Sequence, residues 1–227
     1  MKVFSIHIPT ICLLMSVSVS LIAQNSSVEK SDPKATKLLN SVKKECDRQK
    51  SIEIAFTLDL EIPNHKNEIQ KGKLIQEGNK YVVELADQEI YSDGKDVWVY
   101  LKDHNEVQIN NAENAESTGF LSPMDIAKLY ESGDFFYAIT GEVVEQGVNV
   151  THIEFKPLKK KSDYAKLRLS VNPKTNRPTS MKVFSKDGSR YTIKITNFQT
   201  NKTYGPETFV FSSTNHKGVK IEDLRID

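Results

Sequence analysis

Cysteine is nearly absent from this chain. Its 227 residues contain two, Cys12 and Cys46, and Cys12 falls within an apolar N-terminal leader. The mature chain would keep Cys46 alone. No internal disulfide can then brace the fold, and its core must hold it. Net charge is nearly absent too: Lys and Arg total 31 against 30 Asp and Glu, which leaves +1. Over the whole chain that balance gives no electrostatic case for nucleic acid or for an anionic membrane surface. Membrane-spanning runs are missing as well. The apolar stretch Ile11 to Ile22 is broken by Ser16, Ser18 and Ser20 and is too short for a bilayer. With Lys2 before it and Ala23 after it, Met1–Ala23 reads as a cleavable signal peptide. Ile11 is too large a neighbour to make Cys12 a lipid-attachment site.

Catalytic signatures are also lacking. There is no G-x-x-x-x-G-K-[ST], no G-x-S-x-G and no H-E-x-x-H. His65, His104, His152 and His216 are single and scattered, and His65, His104 and His216 sit in turn-like polar stretches, as surface histidines do. His152 and Glu154 share a strand face, but spacing supplies no third metal ligand. Asp93 is explained by its turn. The chain reads as a non-enzyme with no cofactor. Lys159-Lys160-Lys161 is the one cationic run, either a solvated loop or a contact for an acidic partner or lipid headgroups.

What is present is alternation. In Ser51 to Ile62, apolar Ile52, Ile54, Phe56, Leu58, Leu60 and Ile62 alternate with mostly polar residues, which gives a long strand with one apolar face. Ile69 to Gln76 is a second strand, with Gly72 as a bulge, and Tyr81, Val83 and Leu85 alternate in a third. Around Asp93-Gly94 the sequence predicts a type I′ hairpin, with Trp98 and Tyr100 on one face of its second strand and Val97 and Val99 on the other. Strands resume after Tyr137, and Phe209-Val210-Phe211 and Val219 to Ile226 close the chain. Two helices are predicted. Asp32 caps one that begins at Pro33 and carries Ala35, Leu38, Leu39, Val42 and Cys46 on one stripe. Ser122-Pro123 opens the other, with Met124 and Ile126 among its apolar residues. About ten strands joined by short turns make an antiparallel sheet. A sheet so large must curl, and the helices are the only cover for its concave side. The expected organisation is a leader (1–23), a loose polar segment (24–33) and one domain (34–227). The apolar strand faces either pack a solid core or line a hollow.

The motifs taken in order resemble a known family. Ile90-Tyr91-Ser92-Asp93-Gly94-Lys95 followed by Val97-Trp98-Val99-Tyr100 is similar to the hairpin of LolA, the periplasmic outer-membrane lipoprotein carrier. Ile54-Ala55-Phe56-Thr57, Gly72-Lys73-Leu74, the aromatic strand at Tyr81 and the Ser122-Pro123 helix continue the resemblance. The ending Phe209-Val210-Phe211 then Gly218-Val219-Lys220-Ile221 completes it over Lys34–Asp227. The resemblance implies a mainly β (α+β) fold, a curved antiparallel sheet forming an incomplete β-barrel. Helices would be a lid over its concave hydrophobic face. It implies a monomeric periplasmic chaperone that takes acylated lipoproteins from an inner-membrane ABC transporter to an outer-membrane acceptor. The implied lipid-binding residues are Ile54, Phe56, Leu58, Leu60, Tyr81, Val83 and Leu85 on strands, with Leu38, Leu39, Met124 and Ile126 from the helices. The family's best-studied members carry an Arg-Pro pair before the aromatic strand, where the Arg hydrogen-bonds the lid. Here Glu77-Gly78-Asn79 stands instead, so no latch residue is assigned. A carrier or sensor of another lipid, or a plain binding module with a filled core, remain the alternatives. On this reading Phe56→Glu should spare export and abolish cargo release.

Overall fold

The computed structural model describes residues 30–112, 125 and 128–225. The leader and the positions Met124 and Ile126 lie outside the described residues, as does Ser122-Pro123. The first element is α1 (Pro33–Asp47). Asp32 caps it: its Oδ1 accepts the Lys34 N–H at 2.8 Å, and its Oδ2 accepts the Ile139 N–H at 3.3 Å. One carboxylate thus starts the helix and ties it to a strand far away in sequence.

Among the described residues twelve strands follow: β1 (Ile52–Glu61), β2 (Glu68–Glu77), β3 (Lys80–Glu84), β4 (Gln88–Ser92), β5 (Asp96–Leu101), β6 (Glu106–Asn111), β7 (Phe135–Glu145), β8 (Val148–Pro157), β9 (Tyr164–Asn172), β10 (Arg177–Ser185), β11 (Arg190–Thr200) and β12 (Lys220–Asp223). They form one sheet in the order β12-β6-β5-β4-β3-β2-β1-β11-β10-β9-β8-β7. Meanders build both halves, and the long-range pairing of β1 with β11 joins them. The sheet is open and curved, and α1 lies across one face, an incomplete barrel with a helical cover. The strands exceed the predicted ten. The pairing is antiparallel apart from β12, which runs parallel to β6. β12 is parallel because the chain first crosses the outer face after β11 and returns to the far edge.

Period-two alternation sorts the side chains between two faces. The inner face, under α1, holds one core. It gathers Ile54, Phe56, Leu74, Val83, Ile90, Val97 and Val99 from one half and Ile153, Phe155, Leu167, Leu169, Met181 and Ile193 from the other. Val97 and Val99 therefore look inward and Trp98 and Tyr100 outward. The local predictions for the β4–β5 loop and for Gly72 are corrected. The loop between β4 and β5 spans Asp93 to Lys95, not a two-residue turn; Gly94 sits at φ 89°, and Asp93 Oδ1 accepts the N–H groups of Lys95 and Asp96. Gly72 is not a bulge. The β1–β2 register runs through it with Phe56 opposite, and the irregularity lies between Ala55 and Phe56 on the β11 side.

Residues 201–219 cross the outer face and make a second, smaller core. Phe209 is buried with Ile75 and Val82, against Tyr91 and Tyr204. Phe211 stacks on His216 at 4.5 Å between ring centroids, and both rings contact Tyr100. Phe209 closes a short 3-10 turn, Pro206–Phe209, not the predicted strand, because its ring is drawn into the outer face as an anchor.

Glu53 ties this crossing to β1. Its carboxylate accepts from Lys202 Nζ at 2.8 Å and from the Tyr204 hydroxyl at 2.6 Å. Those bonds, Lys202 first, hold its pKa down at about 2 against an ordinary 4.5. A carboxyl whose folded pKa is depressed contributes stability that is whole above its unfolded pKa. That contribution drains as the pH falls towards the folded value. Glu53→Gln is expected to lower the urea midpoint at neutral pH. The gap from the wild type should then close steadily between about pH 4.5 and about pH 2. A gap that stays constant through acid would contradict the assignment.

Candidate functional site

The site begins with how α1 is held. Its apolar stripe places Ala35, Leu39, Val42 and Cys46 against the sheet, and one polar residue faces inward with them. Glu45 is 8% exposed. It accepts from Arg177 Nε at 3.1 Å and from Arg48 Nη2 at 3.0 Å. Arg177, at the start of β10, also lies over the Phe198 ring, 4.7 Å from its centroid. A half-covered guanidinium thus joins helix and sheet through a carboxylate and an aromatic face. The sequence reading missed this pair. Glu45 falls on the helix stripe at positions 38, 42 and 45, so its spacing was the available signal. At the other end, the Thr36 and Tyr137 hydroxyls meet at 3.0 Å.

Most of the predicted binding residues come together beneath α1. Ile54, Phe56, Val83, Leu85 and Leu39 are buried in one cluster, with Leu38, Leu58 and Tyr81 partly buried against it. Tyr81 is desolvated enough that its phenol is pushed up to about 12. Leu60 is half-buried at the edge of the group. Burial falls along β1: Ile54 is 0% exposed, Phe56 2% and Ile62 39%, with Leu58 and Leu60 between them. The apolar stripe therefore runs out from beneath α1 towards the β1–β2 turn. Leu60 pairs there with Tyr191, which pairs in turn with Val183, so the neighbouring strands extend the surface.

Two cavities bounded by described residues lie elsewhere. One of about 250 Å³ sits at the C-terminal end of α1, lined by Cys46, Ile52, Gln76, Gly78, Asn79 and Lys128 among others. It adjoins the Glu77-Gly78-Asn79 turn. Burial pushes the Cys46 thiol up to about 11, which keeps it protonated and unreactive at neutral pH. The other, about 460 Å³, has a mixed lining that includes Glu145, Ser170, Ser180, Lys182 and Thr192 with Val148 and Ile195. Its charged groups are engaged. His152 Nε2 meets Glu145 Oε1 at 2.7 Å, and Lys182 donates to Glu61 at 2.9 Å. Glu154 accepts from Lys166 and Arg168, so His152 and Glu154 serve different partners. Among the described residues, no group of three metal-ligating side chains converges.

A family profile described as "Outer membrane lipoprotein carrier protein LolA" matches residues 49–212. No curated protein sequence matches. Among solved structures, an uncharacterised conserved protein from Thermus thermophilus superposes with a TM-score of 0.58 at 14% identity, covering 84% of this chain and 99% of its own. A LolA superfamily protein from Nitrosomonas europaea gives 0.41 at 15% identity, with 78% and 97% covered. The Mycobacterium tuberculosis lipoprotein LppX gives 0.48 at 13%, with 77% and 99% covered. At such identities the Thermus likeness speaks for the fold alone.

Proposed function

The chain belongs to the LolA family of outer membrane lipoprotein carriers, and on that premise we propose that it is a periplasmic carrier of acylated lipoproteins. Acyl chains enter between α1 and the inner sheet face, displacing contacts that the protein makes with itself when unloaded. The observation that carries the reading is the apolar stripe of β1, sealed at Ile54 and Phe56 and open towards Ile62. It gives a hydrocarbon chain a continuous path from solvent to the core. Each methylene moved from water to such a surface gains about 0.8 kcal/mol, so several chains amount to a large driving force. Because Ile54, Val83 and Leu39 are fully buried, loading must loosen the cover, and the Glu45–Arg177 contact is one of the ties that hold it. Cargo comes from an inner-membrane ABC transporter and leaves to an outer-membrane acceptor. No bond is made or broken in this cycle.

A second reading keeps the fold and changes the passenger. The Glu77-Gly78-Asn79 turn and the gap beside it stand where the family's Arg-Pro pair would be, so another amphiphile is an open alternative. Mass spectrometry of material copurifying with the mature protein from envelopes decides between them. Triacylated or diacylated lipoproteins are expected. Free lipids alone, without acylated protein, would favour the second reading.

A further inference from the structure

The open end of the apolar stripe is ringed by loops, and they are joined to one another. In the β8–β9 loop, Leu158 N–H donates to the Asp134 carbonyl at 2.8 Å, and the Asp163 carbonyl accepts the Lys186 N–H at 3.0 Å. Lys186 Nζ also donates to the Lys160 carbonyl at 2.6 Å. The β10–β11 turn that contains Lys186 in turn abuts the β1–β2 turn, with Gly188 close against Pro63. These loops therefore form one rim around the place where Leu60 and Ile62 emerge.

The rim combines two features that seldom coincide on a solvated surface. It exposes large apolar side chains: Leu158 is 59% exposed, Ile69 70% and Ile62 39%. It is also locally cationic. Residues 156–161 read Lys-Pro-Leu-Lys-Lys-Lys, four lysines with no acid, although the whole chain is almost neutral. Lys159 is taken up by Asp134 at 3.0 Å. No ion pair engages the exposed Lys160 and Lys161 among the described residues. A protruding leucine flanked by lysines suits an interface whose outer layer is anionic and whose next layer is hydrocarbon.

We propose that this rim docks on the anionic headgroups of a lipid bilayer, with Leu158 entering the headgroup layer, so that the apolar stripe opens towards the membrane. The proposal rests on the carrier reading for its purpose, but it is tested separately. Purified mature protein is mixed with vesicles of phosphatidylcholine alone, or of phosphatidylcholine with phosphatidylglycerol, and bound protein is measured by flotation. The wild type is expected to float with the anionic vesicles only and to be released by salt. The K159E/K160E/K161E variant should bind them about tenfold more weakly or worse, since each lysine near such a surface is worth roughly fivefold. Leu158→Ser, which removes the apolar side chain and adds no charge, should weaken binding without changing its salt dependence. In parallel, uptake of a fluorescent fatty acid is measured without vesicles, and there the variants should match the wild type. Wild-type protein that stays in solution with anionic vesicles would overturn the proposal and leave the lysines to an acidic protein. So would a triple variant that floats as well as the wild type. Loss of fatty-acid uptake by the wild type would instead count against the carrier reading.

Discussion

Gly72→Ala is expected to destabilise this protein by about 3 kcal/mol, at the upper end of what overpacking costs. The cause is space, since Gly72 has ordinary extended backbone. A Cβ built there would lie 2.3 Å from Phe56 Cζ and 3.0 Å from Leu85 Cδ2. Phe56 is opposite on β1 and 2% exposed, so its ring has little room to retreat. The ring covers the glycine, and the glycine is what lets it lie flat against the sheet. For a domain of this size, about 3 kcal/mol lowers Tm by roughly 6–12 °C. Phe56→Leu should cost stability alone yet recover part of the Gly72→Ala loss when the two are combined, a coupling that contacting residues show and distant ones do not. A Gly72→Ala protein that melts with the wild type would show that the ring lies elsewhere.

The second large effect is on binding. Leu60→Glu is expected to leave the fold within about 1 kcal/mol of wild type, because the side chain is half-exposed in the unloaded protein. Acyl-chain affinity should fall roughly a hundredfold. A carboxylate covered by hydrocarbon must either stay charged in a poor solvent or take up a proton at neutral pH, and either costs a few kcal/mol. Thr57→Glu is the control. It lies on the same strand but faces outward beside Lys194 and should bind as wild type does. Phe56→Glu, the substitution that the alternation of β1 suggests, is a poorer test. At 2% exposure that substitution would bury an unpaired carboxylate in the core and unfold the protein before it tested cargo.

The sequence carried much of the architecture because alternation is a local signal. The six apolar positions from Ile52 to Ile62 set β1 and its inner face. Asp32-Pro33 marked the start of α1, and the order of motifs pointed to the family. What stayed hidden depends on partners distant in sequence. Whether Trp98 or Val97 looks inward is decided by what covers each face, and the outer cover comes from Phe209 and Phe211, more than a hundred residues downstream. The role of Gly72 depends on a ring across the strand pair. Glu45 reads as one more charge on a charged helix until Arg177 is seen beside it. The parallel seat of β12 follows from the path of residues 201–219, which alternation does not describe.

One measurement bears on the central claim directly. Mature protein is incubated with a native triacylated lipoprotein delivered from detergent, the detergent is removed, and soluble lipoprotein is quantified. Wild-type and Thr57→Glu protein should keep the lipoprotein soluble in a stable complex, and Leu60→Glu protein should leave it aggregated. Lipoprotein that aggregates equally with the folded wild type present, or that Leu60→Glu protein holds as well as wild type does, would contradict an acyl-binding interior under α1.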